Sequence, residues 1–344
     1  MNTLITFAVP CYKIAEYLDT CISSILDGAQ DYLNRIEIIL VDDGSPDPET
    51  PAAVDSWAER LPNLIRAIHQ ENAGHGGAVN TGLKNAQGLF FKVVDADDWL
   101  DAQACSQLMQ HLTQLVESDN APDLLLANYV YEKADKGKQR RISFKGVLPI
   151  GRLFGWEDVG HFRSYQNLLM HTAYYRTEVL RSIGLQLPTK IFYVDNIFVY
   201  RPLPAVKSLY YLDLDVYRYY IGRDGQSVSE STMISRIDQQ LKITREMIDA
   251  VQLQAVEPKR LRNYMRHYLL MMMTVCSVFL RLSDLEDAEE QRKAILGYLL
   301  EKDPGTYRRI RNSFMGVGVN LPGPLGRKFA IASYRVTQKI FKFN

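Results

Sequence analysis

The stretch at residues 90–101, "FFKVVDADDWLD", carries three carboxylates, Asp95, Asp97 and Asp98, in four positions directly behind an apolar run. Like charges so close repel one another and lose solvation if buried, so their presence there demands a compensating role. The apolar run reads as a short buried strand, which puts the carboxylates at its carboxyl end. Runs of the same kind recur through the first 130 residues: "TLITFAV" (3–9), "IEIILV" (36–41), "LIRAI" (64–68) and "DLLLANYVY" (123–131). Segments with helical spacing separate them, near 14–28, 50–61, 76–87 and 101–118. Strand–helix alternation at this spacing predicts an α/β fold, a mostly parallel sheet with helices on both faces.

In such a sheet, ligands bind in the crevice beyond the carboxyl ends of the strands. The unusual polar loops all fall there: "VPCYK", "VDDGSPD", "HQENAGHGG" and the carboxylate triplet. Their convergence predicts an active site rather than scattered helix caps. Side chains alternate along an extended chain, so Asp95 and Asp97 can face a common spot. Hard divalent cations such as Mg²⁺ take carboxylate ligands together with substrate phosphates. The competing reading, Asp97 or Asp98 as N-cap of the next helix, accounts for one carboxylate and not three. Asp98 divides evenly between ligand and cap. "VDDGSPD" is common turn chemistry, but its place favours Asp43 as a hydrogen-bond acceptor for a base such as uracil, with Asp42 bracing the loop. "AGHGG" offers backbone N–H groups to a phosphate, although the G-x-G-x-x-G of dinucleotide enzymes is absent. His75 is either a loop hydrogen-bonder or a ligand, and Asn80, one helical turn on, can reach the same crevice.

Bulk properties narrow the remaining field. The 344 residues suffice for two compact units, and 47% hydrophobic with 23% charged content is that of a globular protein. Forty basic and forty acidic side chains cancel, so no nucleic-acid partner is expected. Cys11, Cys21, Cys105 and Cys276 lack zinc spacing and read as reduced thiols. No basic leader precedes the first strand, and the longest apolar stretch, Tyr268 to Leu280, is too short to span a bilayer. A cytoplasmic protein is expected, free or peripheral on the inner face of the cell membrane. Residues 132–150 read as a hairpin or loop, 151–230 as irregular, and the chain from Ser231 as helical, with segments near 233–254, 257–282 and 286–301. "YMRHYLLMMMTVCSVFL" (264–280) is apolar all round, as in a helix buried in a bundle. After a break at 316–326, residues 327–344 are basic and aromatic without an acid. Such a segment lies on an anionic membrane surface, or is a solvated tail, or a subunit contact in a homo-oligomer.

The order of "FAVPCYKIAEYLDTCISSIL", "IEIILVDDGSPD", "QENAGHGGAVNTGLKNAQG" and "FFKVVDADDWLD" resembles the family 2 glycosyltransferases of the GT-A fold, over roughly residues 3–115. The resemblance implies a Rossmann-like GT-A domain over 1–230, with a nucleotide-sugar half (1–131) and an acceptor and catalytic half (132–230). A helical region would follow over 231–344. It implies an inverting, metal-dependent transfer from a nucleotide-diphospho-sugar, UDP-linked, to a hydroxyl of a glycan or lipid-linked acceptor in polysaccharide synthesis. Pro10, Tyr12 and Asp43 would hold the base. Asp95, Ala96 and Asp97 would bind the ribose and a Mn²⁺ or Mg²⁺ ion, with Asp97, Asp95 and Asp98 as metal ligands. In "IFYVDNIFVYRPL" (191–203), Asp195 is the expected catalytic base, the alternative being a plain N-cap; Val194 stands where relatives often carry an acid. "VYRYYIGRDGQSVS" (216–229) resembles the loop that closes over the diphosphate, which nominates Arg218, Arg223 and Gln226. Val79 stands where many relatives have an Arg, so a basic contact is lost or comes from elsewhere, Lys84 and Lys92 being candidates. His171 either lines the acceptor side or is a core histidine. Two competing functions are a sugar nucleotidyltransferase and a non-catalytic nucleotide-sugar-binding assembly subunit.

Overall fold

The apolar runs form strands where burial on both faces favours them. In the computed structural model, which describes residues 3–133, 139–163, 166–222 and 229–341, four strands lie parallel in the order β3-β2-β1-β4. They are β1 (Ile5–Cys11), β2 (Ile36–Asp42), β3 (Ile65–His69) and β4 (Phe90–Val93). Their crossovers are α1 (Ala15–Gly28), α2 (Glu49–Arg60) and α3 (Gly74–Asn85). Register aligns the strand ends, Cys11 opposite Asp42 and Asp42 opposite His69, so the polar loops emerge along one rim.

Past β4 the sheet becomes mixed. The chain continues through β5 (Trp99–Leu100), α4 (Ala102–Glu117), β6 (Leu124–Lys133), β7 (Gln139–Ile142) and β8 (Leu153–Phe154). It then forms β9 (Ala173–Arg176), α5 (Thr177–Ser182), α6 (Asp195–Tyr200) and β10 (Leu209–Ile221). β9 inserts antiparallel between β4 and β6, while β10 runs parallel to β6 and antiparallel to β5. The expected parallel sheet therefore describes its first half. β9 was hidden because four residues inside an irregular stretch carry no readable period. β7 pairs antiparallel with β6, Gln139–Ile142 against Tyr129–Glu132, so the stretch 132–150 supplies one strand of this pair.

One glycine sets the spacing at the start of β4. A Cβ on Gly88 would fall against the backbone nitrogen of Thr6, 2.6 Å from the Ile5 carbonyl carbon and 2.8 Å from Thr6 Oγ1. β1 is an inner strand and cannot retreat. Gly88→Ala is expected to destabilise the sheet by about 1–3 kcal/mol, the usual cost of overpacking. A lowered urea midpoint would register it; an unchanged midpoint would mean that the 86–89 turn yields freely.

The chain divides into two compact units, Met1–Ile221 and Gly222–Asn344. The second is helical: α7 (Glu230–Ser235), α8 (Ile237–Ala250), α9 (Lys259–Leu282), α10 (Ala288–Lys302), α11 (Pro304–Arg311), α12 (Phe314–Val319) and α13 (Gly323–Phe341). The all-round apolar segment lies in α9, whose Met265, Met273, Cys276 and Leu280 are buried. The Thr244 hydroxyl of α8 meets Cys276 Sγ at 3.2 Å. The basic segment from 327 is not a swinging tail in its described part but the body of α13. Arg281 Nη1 donates to the Gly326 carbonyl at 2.9 Å, Arg327 Nε to that of Arg281 at 2.9 Å, and Ala330 is buried. Its aromatic Tyr334 packs on Phe279 with ring centres 5.6 Å apart. No helix among the described residues is long and apolar enough to cross a membrane.

Candidate active site

The loop after β4 is built around one tyrosine of β10. The Asp95 N–H donates to the Tyr217 hydroxyl at 3.1 Å, and that hydroxyl donates to Asp98 Oδ2 at 2.7 Å. The Tyr220 N–H donates to Asp98 Oδ1 at 2.8 Å. Asp98 is thus buried and ties the loop to the sheet. Burial, with the adjacent Asp95 charge, pushes its carboxyl well above the ordinary range. Neither Asp97 nor Asp98 caps the next helix. Asp101 does, accepting from the Ala104 N–H at 3.0 Å, which corrects the capping alternative.

Asp95 faces two histidines. His75 Nε2 donates to Asp95 Oδ1 at 2.8 Å, and His171 Nδ1 lies 3.9 Å from Asp95 Oδ2. Burial would raise the Asp95 carboxyl, but His75 and then His171 outweigh it and hold it low. Burial pulls His75 down, yet the Asp95 charge and hydrogen bond raise it overall. His171 has no such bond, and burial takes it to about 4, so its ring is neutral near pH 7. Donor atoms of Asp95, Asp98 and His171 lie within 4.8 Å of one another. Asp97 is partly exposed and outside that group.

Beneath this cluster lies Lys92, fully buried on β4. Its Nζ donates to the carbonyls of Met170 at 3.1 Å and His171 at 2.5 Å, and sits over the rings of Tyr174 and Tyr217. Desolvation draws it down to about 7, against the pull of Asp95 and Asp98. Lys92 therefore cannot supply the basic donor contact expected of it; it clamps the turn that carries His171. Lys84 is exposed in the last turn of α3.

At the β1–β2 end, Asp42 Oδ1 accepts from the Ser45 N–H at 3.1 Å and Oδ2 from His69 Nδ1 at 2.9 Å, the bracing role expected. Asp43 also braces. Its Oδ1 accepts from Gln70 Nε2 at 2.6 Å and the Ala73 N–H at 2.8 Å, while no hydrogen bond engages Oδ2 among the described residues. Pro10, next to last in β1, pairs with Val41, and Tyr12, just past the strand, is 43% exposed.

The glycines of "AGHGG" serve packing. A Cβ on Gly76 would strike the Pro188 carbonyl oxygen, and one on Gly74, at φ +76°, would come within 2.9 Å of Lys190 N. The Lys190 N–H donates to the Ala73 carbonyl at 2.7 Å. Asn80, expected at the donor, holds this same segment: Nδ2 donates to the Leu187 carbonyl at 2.9 Å and Oδ1 accepts from its N–H at 2.8 Å. With both ends of its amide engaged, it positions the chain that leads to Asp195.

Asp195 opens α6, with Val194 at the cap position and no side-chain cap there, so the plain N-cap alternative is not what the geometry gives. Its carboxyl is raised to about 6, by burial first, with His75 opposing and Asp95 reinforcing. Arg218 Nη2 donates to Asp101 at 2.8 Å and Nη1 to Glu132 at 3.1 Å, so its charge is already paired within the protein. Arg223 and Gln226 lie outside the described residues. Sequence reasoning missed the His75–Asp95 pair and the Tyr217 anchor; a tyrosine 119 residues beyond the acid it holds carries no motif to find it by.

Comparison with known proteins bears on the fold and the family. The uncharacterised glycosyltransferase EpsJ of Bacillus subtilis is 37% identical over 136 residues, 40% of this chain and 37% of EpsJ. The chain thus spans little more than a third of that relative's length. S. aureus TarS, residues 1–349, solved with UDP-GlcNAc, matches with a TM-score of 0.68 at 18% identity, over 99% of this chain and 92% of that one. The mannosyltransferase PcManGT of Pyrobaculum calidifontis, solved with GDP-Man and Mn²⁺, matches with a TM-score of 0.55 at 18% identity, over 100% and 89%. These likenesses establish the GT-A fold. The family description "Glycosyl transferase family 2" matches residues 6–178, half of the chain and every strand-end loop of the cluster up to His171, and the chain belongs to that family of glycosyltransferases.

Proposed function

We propose that this glycosyltransferase moves a sugar, with inversion, from a UDP-linked nucleotide-diphospho-sugar to a hydroxyl of a glycan or lipid-linked acceptor. One observation carries the reading: Asp43 and the Asp95–Asp98 pair stand just past the strand ends, and the raised carboxyl of Asp195, opening α6, lies close enough to feel His75 and Asp95. Pro10, Tyr12 and the second oxygen of Asp43 hold the base. Asp95, Ala96 and Asp97 face the ribose and diphosphate. The residues fit a divalent cation, Mn²⁺ or Mg²⁺, because two carboxylates that repel each other, Asp98 buried and Asp95 partly so, supply hard oxygen donors. Asp95, Asp97 and Asp98 would hold it, and it would stabilise charge developing on the departing diphosphate. Asp195 takes the proton of the attacking hydroxyl. Incubation with a panel of nucleotide sugars and Mn²⁺, following release of nucleoside diphosphate, tests the whole reading. Binding of UDP without release from any donor would favour the non-catalytic subunit, and release of pyrophosphate the nucleotidyltransferase.

A lipid-linked acceptor would place the protein at a membrane surface, and the second unit offers a face that suits one. Phe314 is 97% exposed and Leu325 82%, with Phe329 and Val317 also exposed. A Cβ on Gly318 would meet the Phe329 ring at 3.4 Å, so α12 and α13 lie side by side. Exposed Arg308, Arg309, Arg311, Lys328 and Arg335 belong to the same stretch, in which no acid follows Asp303. Exposed apolar side chains in a stretch rich in cations suit an anionic leaflet. Truncating α13 would uncover Phe279, so point substitutions make the cleaner test. The protein is expected to sediment with phosphatidylglycerol vesicles at low salt and partly release at high salt. Replacing Phe314, Leu325 and Phe329 by Ser should abolish the salt-resistant part. Equal binding by both proteins would remove this face from the proposal.

A further inference from the structure

His171 is placed as no ordinary core histidine would be. Its ring stacks on Tyr217 with centres 4.5 Å apart and 26° between planes, and leans on Tyr219 at 4.4 Å. The turn beneath it, Met170–Thr172, is held by the two hydrogen bonds from Lys92. The side chain is 7% exposed, so its position is fixed by packing on all sides. Yet Nδ1 is buried without a hydrogen-bond partner among the described residues. Buried polar atoms are nearly always paired, and each exception requires a reason. Asp95 Oδ2, facing it at 3.9 Å, is too far for a hydrogen bond.

That gap is of the right size for something held between the two atoms. Ligands about 2.1 Å from a common ion stand roughly 3 Å apart when adjacent and about 4.2 Å when opposite. Donor atoms of Asp95, Asp98 and His171 all lie within 4.8 Å of one another, so an adjustment of under about an ångström closes them around an ion. We infer that His171 Nδ1 is a nitrogen ligand of the donor-site cation, completing an Asp95–Asp98–His171 set and favouring Mn²⁺ over Mg²⁺. The inference rests on the metal dependence proposed above and adds an imidazole to a site otherwise made of oxygen. Imidazole suits transition ions, whereas Mg²⁺ takes carboxylate, phosphate and water. Lys92 and the tyrosines act by positioning: they orient the ring, as outer groups do around metal-bound histidines. The competing occupant of the gap is a water bridging Nδ1 to Asp95.

Pulsed electron paramagnetic resonance on the full chain with Mn²⁺ and UDP separates these possibilities without any turnover. The wild-type protein should show ¹⁴N modulation from a coordinated imidazole. His171→Phe keeps an aromatic ring against Tyr217 and Tyr219 but removes the nitrogen, and should lose that modulation. Its preference for Mn²⁺ over Mg²⁺, from competition measurements, should fall about tenfold or more, since even outer groups contribute 10- to 100-fold. His171→Gln, with an oxygen in place of the nitrogen, should bind Mn²⁺ without the modulation and serves if the Phe variant fails to fold. Bound Mn²⁺ with no ¹⁴N signal in the wild type, or a signal that persists in both variants, overturns the inference and leaves metal dependence standing. No Mn²⁺ binding in the presence of UDP overturns both.

Discussion

Asp195→Asn is expected to lower turnover by about 10²- to 10⁴-fold, the range for loss of a positioned general base, with donor affinity nearly unchanged. Asp195 opens α6 at the end of the segment that Ala73 and Asn80 hold, so the isosteric amide should keep its place while losing the lone pair that accepts the proton. Its carboxyl, raised to about 6, gives the pH dependence a definite sign. The base works only when ionised, so kcat should climb as pH rises through about 6 and level off above. The Asn variant should lack that limb. Stability should run the other way. A carboxyl whose folded pKa exceeds its ordinary 3.8 binds its proton more readily in the native state. The native state is then favoured below that value, and the advantage is lost as pH rises towards 6. Asp195→Asn should accordingly melt no lower, and at neutral pH higher, than the wild type. A variant that instead binds donor poorly would place Asp195 in the donor pocket and leave the base unassigned.

The features legible in the sequence were those written in local patterns. Strands β1 to β4 and the helices between them follow from apolar periodicity, and the rim follows from where the polar loops fall. Asp42 as a brace follows from turn chemistry. Features formed across long separations were not legible. Tyr217 lies 119 residues from the Asp98 it holds, and His171 lies 79 from Lys92. Lys92 looked like a donor contact because a lysine beside an acidic motif ordinarily faces solvent. Only β9, invisible as a four-residue strand, brings the carbonyls of Met170 and His171 above it. The bracing role of Asn80 was not legible for a related reason: in sequence it sits one turn into a helix that opens on the crevice, and nothing local says that Leu187 will pack there. The glycines of "AGHGG" suggested a phosphate cradle, since close backbone approach and phosphate binding leave the same small-residue signature.

Asp95→Asn is expected to weaken metal-dependent binding of UDP at least about 100-fold, with turnover falling in parallel. Loss of outer groups alone costs 10- to 100-fold, and Asp95 is the carboxylate on which the site converges. It contacts His75 at 2.8 Å, faces His171 at 3.9 Å, and its backbone is pinned by Tyr217. The amide preserves shape and keeps an oxygen for the ribose, so the fold should survive. His75, raised by the Asp95 charge, should titrate lower in the variant, a shift that NMR of its ring protons would read independently of activity. Asp97→Asn provides the comparison, because Asp97 is partly exposed and stands outside the convergent group. If Asp97 is also a ligand, its amide should cost at least about tenfold in UDP affinity with Mn²⁺ and nothing without it. Calorimetric titrations of UDP with and without Mn²⁺ rank the two. Full Mn²⁺-dependent affinity in Asp97→Asn beside its loss in Asp95→Asn would move the ion off the "DAD" pair, towards Asp95, Asp98 and His171. Full affinity in both variants would remove the cation from this rim, and leave the repulsion between Asp95 and Asp98 to be balanced by His75 and Lys92 alone.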